Sequence, residues 1–166
     1  MSPQEYNQYV EEYSDRVFRY ILKSCRHRAD AEDIVQVTFQ RLWEKKDTIQ
    51  VEKIKSWLFT TAHNRMIDLF RKRKPETPIK PLHNPSSDSD AKRVDLKDLI
   101  DKALTYLPEA QKQVILLRDY EGYSYEDIST ITDMSLSQVK VYIFRGRKKL
   151  QEIILGMDGG QAIAQM

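Results

Sequence analysis

Apolar residues recur along this chain at three- and four-residue steps and almost never alternate, the signature of amphipathic helices rather than strands. Ser2-Pro3-Gln4-Glu5 is a helix start: a cap, a proline in the first turn, and a glutamate to close a capping box. Tyr6, Tyr9, Tyr13, Val17 and Tyr20/Ile21 then repeat at helical spacing to about Arg26. A second helix opens at Asp30, read as its N-cap, and carries Ile34, Val35, Phe39, Leu42 and Trp43 on its apolar face. A third is expected over Lys53 to Lys74, with Ile54, Trp57, Leu58, Thr61, Ala62, Met66, Leu69 and Phe70 inward. Beyond residue 94 the pattern predicts helices over Val94–Leu107, Glu109–Tyr120, Tyr125–Thr132 and Leu136–Leu150. Ser124 is placed to cap the third of these, with Asp127 three residues on.

The stretch between the two sets breaks the pattern. Four prolines (Pro75, Pro78, Pro81, Pro85) and the run Ser86-Ser87-Asp88-Ser89-Asp90 read as a flexible linker over 75–94. About 20 residues could span up to roughly 65 Å, approaching two turns of B-DNA. The prediction is therefore all-α: a helical domain over 1–74, the linker, a second domain over 95–155, and a frayed tail over 156–166.

Composition then narrows the function. The chain has 166 residues, of which 31% are charged and 40% hydrophobic, a soluble profile with modest cores. A net charge of +2 does not by itself announce a nucleic-acid binder. The clustering does, in Arg71-Lys72-Arg73-Lys74 and in Arg145, Arg147, Lys148 and Lys149. A single cysteine, Cys25, excludes an internal disulfide and a thiolate metal cluster. His27, His63 and His83 share no ligand spacing, and the adjacent Glu32 and Asp33 do not converge on one point, so an enzyme reading has no site to stand on. No cofactor motif, secretory segment or apolar run of membrane-spanning length is visible, so a cytoplasmic protein without a small-molecule substrate is expected.

Tyr125–Thr132 and Leu136–Leu150, broken at Asp133-Met134-Ser135, form a helix-turn-helix signature. Ile128, Ile131, Val139, Ile143 and Leu150 supply its inner faces, and the second helix ends in cations suited to phosphates. A stand-alone helix-turn-helix regulator would explain this half and leave the first one idle.

Three motifs in order carry a resemblance. Asp30-Ala31-Glu32-Asp33-Ile34-Val35-Gln36 to Leu42-Trp43 looks like region 2 of bacterial sigma factors, and Trp57-Leu58-Phe59 to Asp68 is similar to that family's promoter-melting segment. Leu107-Pro108 to Leu117-Arg118, followed by Glu121-Gly122-Tyr123-Ser124, resembles region 4. With two regions and a short linker, the chain resembles the extracytoplasmic-function (ECF) group of the sigma-70 family.

The resemblance implies a protein that binds the clamp and flap regions of the large subunits of RNA polymerase core, recognises promoter DNA and helps to open it. It assigns core binding to Asp30, Glu32, Asp33, Gln36, Phe39 and Trp43. Recognition and melting of the −10 element would fall to Trp57, His63, Asn64, Arg65, Asp68, Arg71 and Arg73. Trp57 reads equally well as core or as a stacking surface. The −35 element would meet Ser137, Gln138, Lys140, Val141, Tyr142, Arg145, Arg147 and Lys148. Val141 and Tyr142 stand where the family commonly has serine and arginine, which suggests a non-standard upstream element. Gly146 and Ser129 stand where alanine is common. An anti-sigma factor is a further implied partner.

Overall fold

The computed structural model describes residues 1–73 and 95–156, and all of its regular elements are helical. Seven α-helices follow in order: α1 Pro3–Cys25, α2 Arg28–Glu44, α3 Ile54–Lys72, α4 Leu96–Leu104, α5 Glu109–Ile115, α6 Tyr125–Thr132 and α7 Leu136–Gly156. The expected linker and most of the expected tail lie outside the described residues.

Local signals set most helix ends. The Ser2 hydroxyl accepts from the Glu5 N–H at 3.1 Å, and Ser124 accepts from Asp127 N–H at 3.1 Å, each satisfying an orphan donor of its first turn. The cap of α2 differs from expectation. It is His27, whose Nδ1 accepts from the Asp30 N–H at 3.2 Å, so the helix starts at Arg28 and Asp30 sits inside the first turn. Helix α4 is shorter than predicted because Thr105, Tyr106 and Leu107 close tight turn bonds onto Lys102, Ala103 and Leu104 ahead of Pro108. Helix α5 loosens into a π turn over Leu116–Tyr120, where Glu121 N–H reaches back to Leu116 O. Gly122, at φ +75, then turns the chain so that Tyr123 points inward. Helix α7 continues past Leu150 to Gly156 because Ile154 still finds buried contact.

The substituted small residues have structural reasons. Ser129 donates its hydroxyl to Met134 O, bracing the turn between α6 and α7. Gly146 is buried where α7 crosses α5, and a Cβ there would lie 2.5 Å from Ile115 Cδ1.

Two helical units are present as expected, α1–α3 and α4–α7, and they pack directly on one another. Phe59 of α3 meets Tyr123 edge-to-face at 5.4 Å between ring centroids, with both rings buried. Arg16 Nε donates to Glu121 Oε1 at 2.9 Å, and Lys55 Nζ lies 4.5 Å from the centre of the Tyr123 ring. On the other side Lys23 pairs with Asp101 at 3.2 Å, and the buried Lys112 ammonium donates to Ser24 O at 3.3 Å and Glu109 at 3.1 Å. Burial holds the Lys112 pKa below the ordinary lysine value. The halves therefore share one apolar core, an association that the sequence pattern did not foresee.

Candidate polymerase and nucleic-acid interfaces

Helix α2 buries Ala31, Ile34, Thr38, Phe39 and Leu42 against α1 and α3. The opposite arc presents Glu32, Asp33 and Gln36 to solvent, with Glu32 held by Arg28 at 3.0 Å. Phe39 is turned into the core, where it anchors the helix instead of offering a contact surface. Trp43 is 38% exposed, packs edge-on against Tyr6 at 5.1 Å, and carries the Lys46 ammonium over its ring. Asp30 is half-buried and takes a two-pronged ion pair from Arg73, one arm at 3.0 Å. Two residues assigned to different partners are thus bonded to each other.

Helix α3 divides the second set of residues. His63 is buried at 3% exposure, with its Nδ1 2.8 Å from the Tyr20 hydroxyl. Burial raises the Tyr20 pKa and lowers that of His63 to about 4, so a neutral phenol and a neutral imidazole share this hydrogen bond. His63 is a core residue here, and the DNA-contact expectation for it is corrected. Its environment was written in the sequence: Phe59, Ala62 and Met66 share its helical face. Asn64, Asp68 and Arg71 are exposed, while Arg65 is half-buried with its Nε unpartnered among the described residues. Trp57 is half-buried and lines an open pocket of about 450 Å³ with Lys45, Thr48, Ile49, Gln50 and Lys53. The lysines of that pocket were not among the expected residues: Lys45 closes α2, and Lys53 ends the short 3-10 turn Val51–Lys53 that leads into α3.

Helix α7 buries Val139, Ile143, Gly146 and Ile154. Ser137, Gln138, Lys140, Val141, Arg145 and Lys148 face solvent, and Tyr142 is half-buried against the core. Gln138 is already engaged: its Oε1 accepts from Ser135 N–H at 3.1 Å while its own N–H donates to Ser135 Oγ at 3.1 Å. That reciprocal pair is a capping box, a Ser-x-x-Gln signal overlooked in the sequence. Arg147 forks onto Asp119, its Nε 3.1 Å from Oδ2. Among the described residues Lys140, Arg145 and Lys148 form no ion pair. Phe144, also overlooked, is 70% exposed on the same face.

The geometry thus offers an acidic-polar arc on α2, a mixed basic and aromatic surface around α3, and a basic arc on α7. The model of sigma-70 region 2 matches residues 9–76, and that of sigma-70 region 4 matches residues 97–150. The chain belongs to the sigma-70 family, in its ECF group. It is 29% identical over 146 residues to the ECF RNA polymerase sigma factor SigM of Bacillus subtilis, covering 85% of this chain and 90% of that one. It is also 29% identical over 154 residues to the ECF sigma factor EcfG of Rhodopseudomonas palustris, covering 88% and 81%. The sigma factor RpoE of Bartonella quintana, solved in complex with the anti-sigma factor NepR, matches with a TM-score of 0.75 at 28% identity, over 93% of this chain and 99% of that one. Among the described residues no helix is long and apolar enough to cross a membrane.

Proposed function

We infer that this chain is a promoter-specificity subunit: it binds RNA polymerase core through α2, reads and opens the downstream promoter element with α3, and reads the upstream element with α7. It acts in the cytoplasm as a binding and assembly protein, with no active site of its own. The observation that carries this is the outward arc of Glu32, Asp33 and Gln36 on α2, solvent-facing polar groups of which only Glu32 is engaged, by the exposed Arg28, beside a well-packed inner face. Melting is supported by Trp57 bordered by Lys45 and Lys53, since an unstacked base needs an aromatic plane and its phosphates need cations. Upstream recognition is supported by the solvent-facing cations of α7. An anti-sigma factor is a further partner, in line with the complex of RpoE with the anti-sigma factor NepR.

The test is reconstitution. Purified chain and polymerase core should yield promoter-specific transcripts, and Asp33→Lys with Gln36→Ala should weaken core binding about tenfold or more while circular dichroism stays unchanged. Undiminished core binding by the folded double mutant would remove α2 from the interface. Absence of specific transcripts from the wild type would remove the sigma reading itself.

A further inference from the structure

Ser137, Val141, Phe144 and Lys148 lie at steps of four, three and four on α7, a single stripe opposite the buried Val139, Ile143 and Gly146. The middle of that stripe is apolar. Val141 is 40% and Phe144 70% exposed, so neither is placed there by the demands of the core. Cations flank them: Lys140 and Lys148 border the shallow surface that also contains Phe144, and Arg145 follows directly in sequence. An apolar centre between phosphate-seeking cations suits the floor of a major groove better than it suits water or a purely acidic partner. Hydrogen-bond readout by Gln138 is meanwhile restricted, because its Oε1 already accepts from Ser135 N–H.

We propose that Val141 and Phe144 are specificity-determining residues that read thymine through its C5-methyl group. This rests on the assignment of α7 to upstream promoter DNA and deepens it. Neither side chain can donate or accept a hydrogen bond, and the thymine methyl is the apolar feature that an unmodified base pair presents in the major groove. Three residues of helix advance about 4.5 Å, comparable to one base-pair step of about 3.4 Å, so the two side chains address neighbouring base pairs. The upstream element therefore carries thymines at two adjacent positions, on either strand, that cytosine or uracil cannot replace without loss.

The experiment uses the full chain with polymerase core and a duplex carrying the upstream sequence obtained by selection. Each thymine is replaced in turn by deoxyuridine, which removes the methyl and nothing else. One or two adjacent replacements should each weaken binding about fourfold, the worth of one buried methyl-sized group. Phe144→Ala should abolish the thymine–uracil difference at one of these positions and Val141→Ala at the other, whereas Phe144→Leu should retain it. Both side chains are exposed, so the variants should keep the wild-type circular dichroism and core affinity. Insensitivity of the selected site to every deoxyuridine, or unchanged sensitivity in Phe144→Ala and Val141→Ala, overturns methyl reading while leaving α7 on DNA. Failure of selection to yield any upstream preference removes the DNA assignment of α7 and the proposal with it.

Discussion

The contact between Phe59 and Tyr123 makes the association of the two halves measurable. Both rings are buried, one from each half, and meet edge-to-face at 5.4 Å. Such pairs are worth about 0.5–1.5 kcal/mol beyond the area they bury. Phe59→Leu and Tyr123→Leu keep most of the apolar volume and remove the ring–ring term, so the double-mutant cycle should return a coupling energy in that range. Tyr123 adds a second handle. Its hydroxyl is buried without a partner among the described residues, which opposes folding by about 1–3 kcal/mol. Tyr123→Phe should therefore leave stability unchanged or raise it, an unusual sign for truncation of a buried residue.

Urea unfolding is the assay, and the sequence supplies a convenient pair of probes. Both tryptophans, Trp43 and Trp57, lie in the first half, whereas helices of both halves contribute to the far-ultraviolet signal. If the halves share one cooperative core, fluorescence and circular dichroism will trace the same midpoint in the wild type and in Tyr123→Phe. Separate midpoints for the wild type, together with a coupling energy of zero, would refute the shared core and reduce the Phe59–Tyr123 contact to a passing encounter.

His63 gives a pH prediction. Its native pKa of about 4 lies below the ordinary value of 6.5, so the unfolded chain binds the extra proton between these values and the native one does not. Stability from the neutral imidazole is full above pH 6.5 and falls as pH drops toward 4, by about 3 kcal/mol in all, and His63→Gln should flatten the denaturation profile in that window. Gly146→Ala gains about 1 kcal/mol in helix propensity but drives Cβ into Ile115 Cδ1, an overpacking cost of about 1–3 kcal/mol. It should destabilise the wild type and become neutral or stabilising with Ile115→Val, which four melting curves will decide. Ser135→Ala should cost about 0.5–2 kcal/mol through loss of the α7 cap, whereas Gln138→Ala removes only the reciprocal arm and should cost about 0.5 kcal/mol; equal melting temperatures for wild type and both variants would show the cap to be idle.

Helix identity was legible because it is local. The Ser2 and Ser124 caps, the Asp133 break and the apolar spacing each act within one or two turns, and each stands where the pattern put it. What escaped depends on residues far apart in sequence. Arg16 and Glu121 are 105 positions apart, and no periodicity announces that they meet. His63 is different, since Phe59, Ala62 and Met66 mark its face of α3 within the helix itself. The inward face of α3 is wider than the expected one by Phe59 and His63, which Tyr20 covers from α1 and Tyr123 from the other half. Lys45 and Lys53 likewise join Trp57 only because the turn between α2 and α3 brings the two helix ends together. On α7 Phe144 has an apolar side chain that helical spacing alone does not mark as outward, although it is 70% exposed.

Several residues that would meet polymerase or DNA are engaged within the free chain, and the strength of those engagements decides whether they obstruct. Arg73 holds Asp30 and Arg147 holds Asp119, but both arginines are about half or more exposed. Exposed pairs of this kind contribute about 0.2–1 kcal/mol, less than a charge-assisted bond to a phosphate gains in a low-dielectric groove. They therefore orient the guanidinium groups without withholding them. The packing of the halves is a different order of barrier, since it combines the Phe59–Tyr123 rings, the Arg16–Glu121 pair and the buried Lys112. On the proposed assignment, α3 and α7 held on one small core would not reach two DNA elements set about two helical turns apart. Engagement of both elements thus requires the halves to separate, and the free energy for that has to come from contacts made only in the separated form. Binding of α2 to core alone should leave the halves packed, because Glu32, Asp33 and Gln36 are exposed already. Promoter DNA spanning both elements supplies the difference, so Tyr123→Phe should weaken binding to such a duplex while leaving core affinity unchanged. Equal affinity of wild type and Tyr123→Phe for the two-element duplex, in a variant shown to be more stable, would mean that the halves part before DNA arrives.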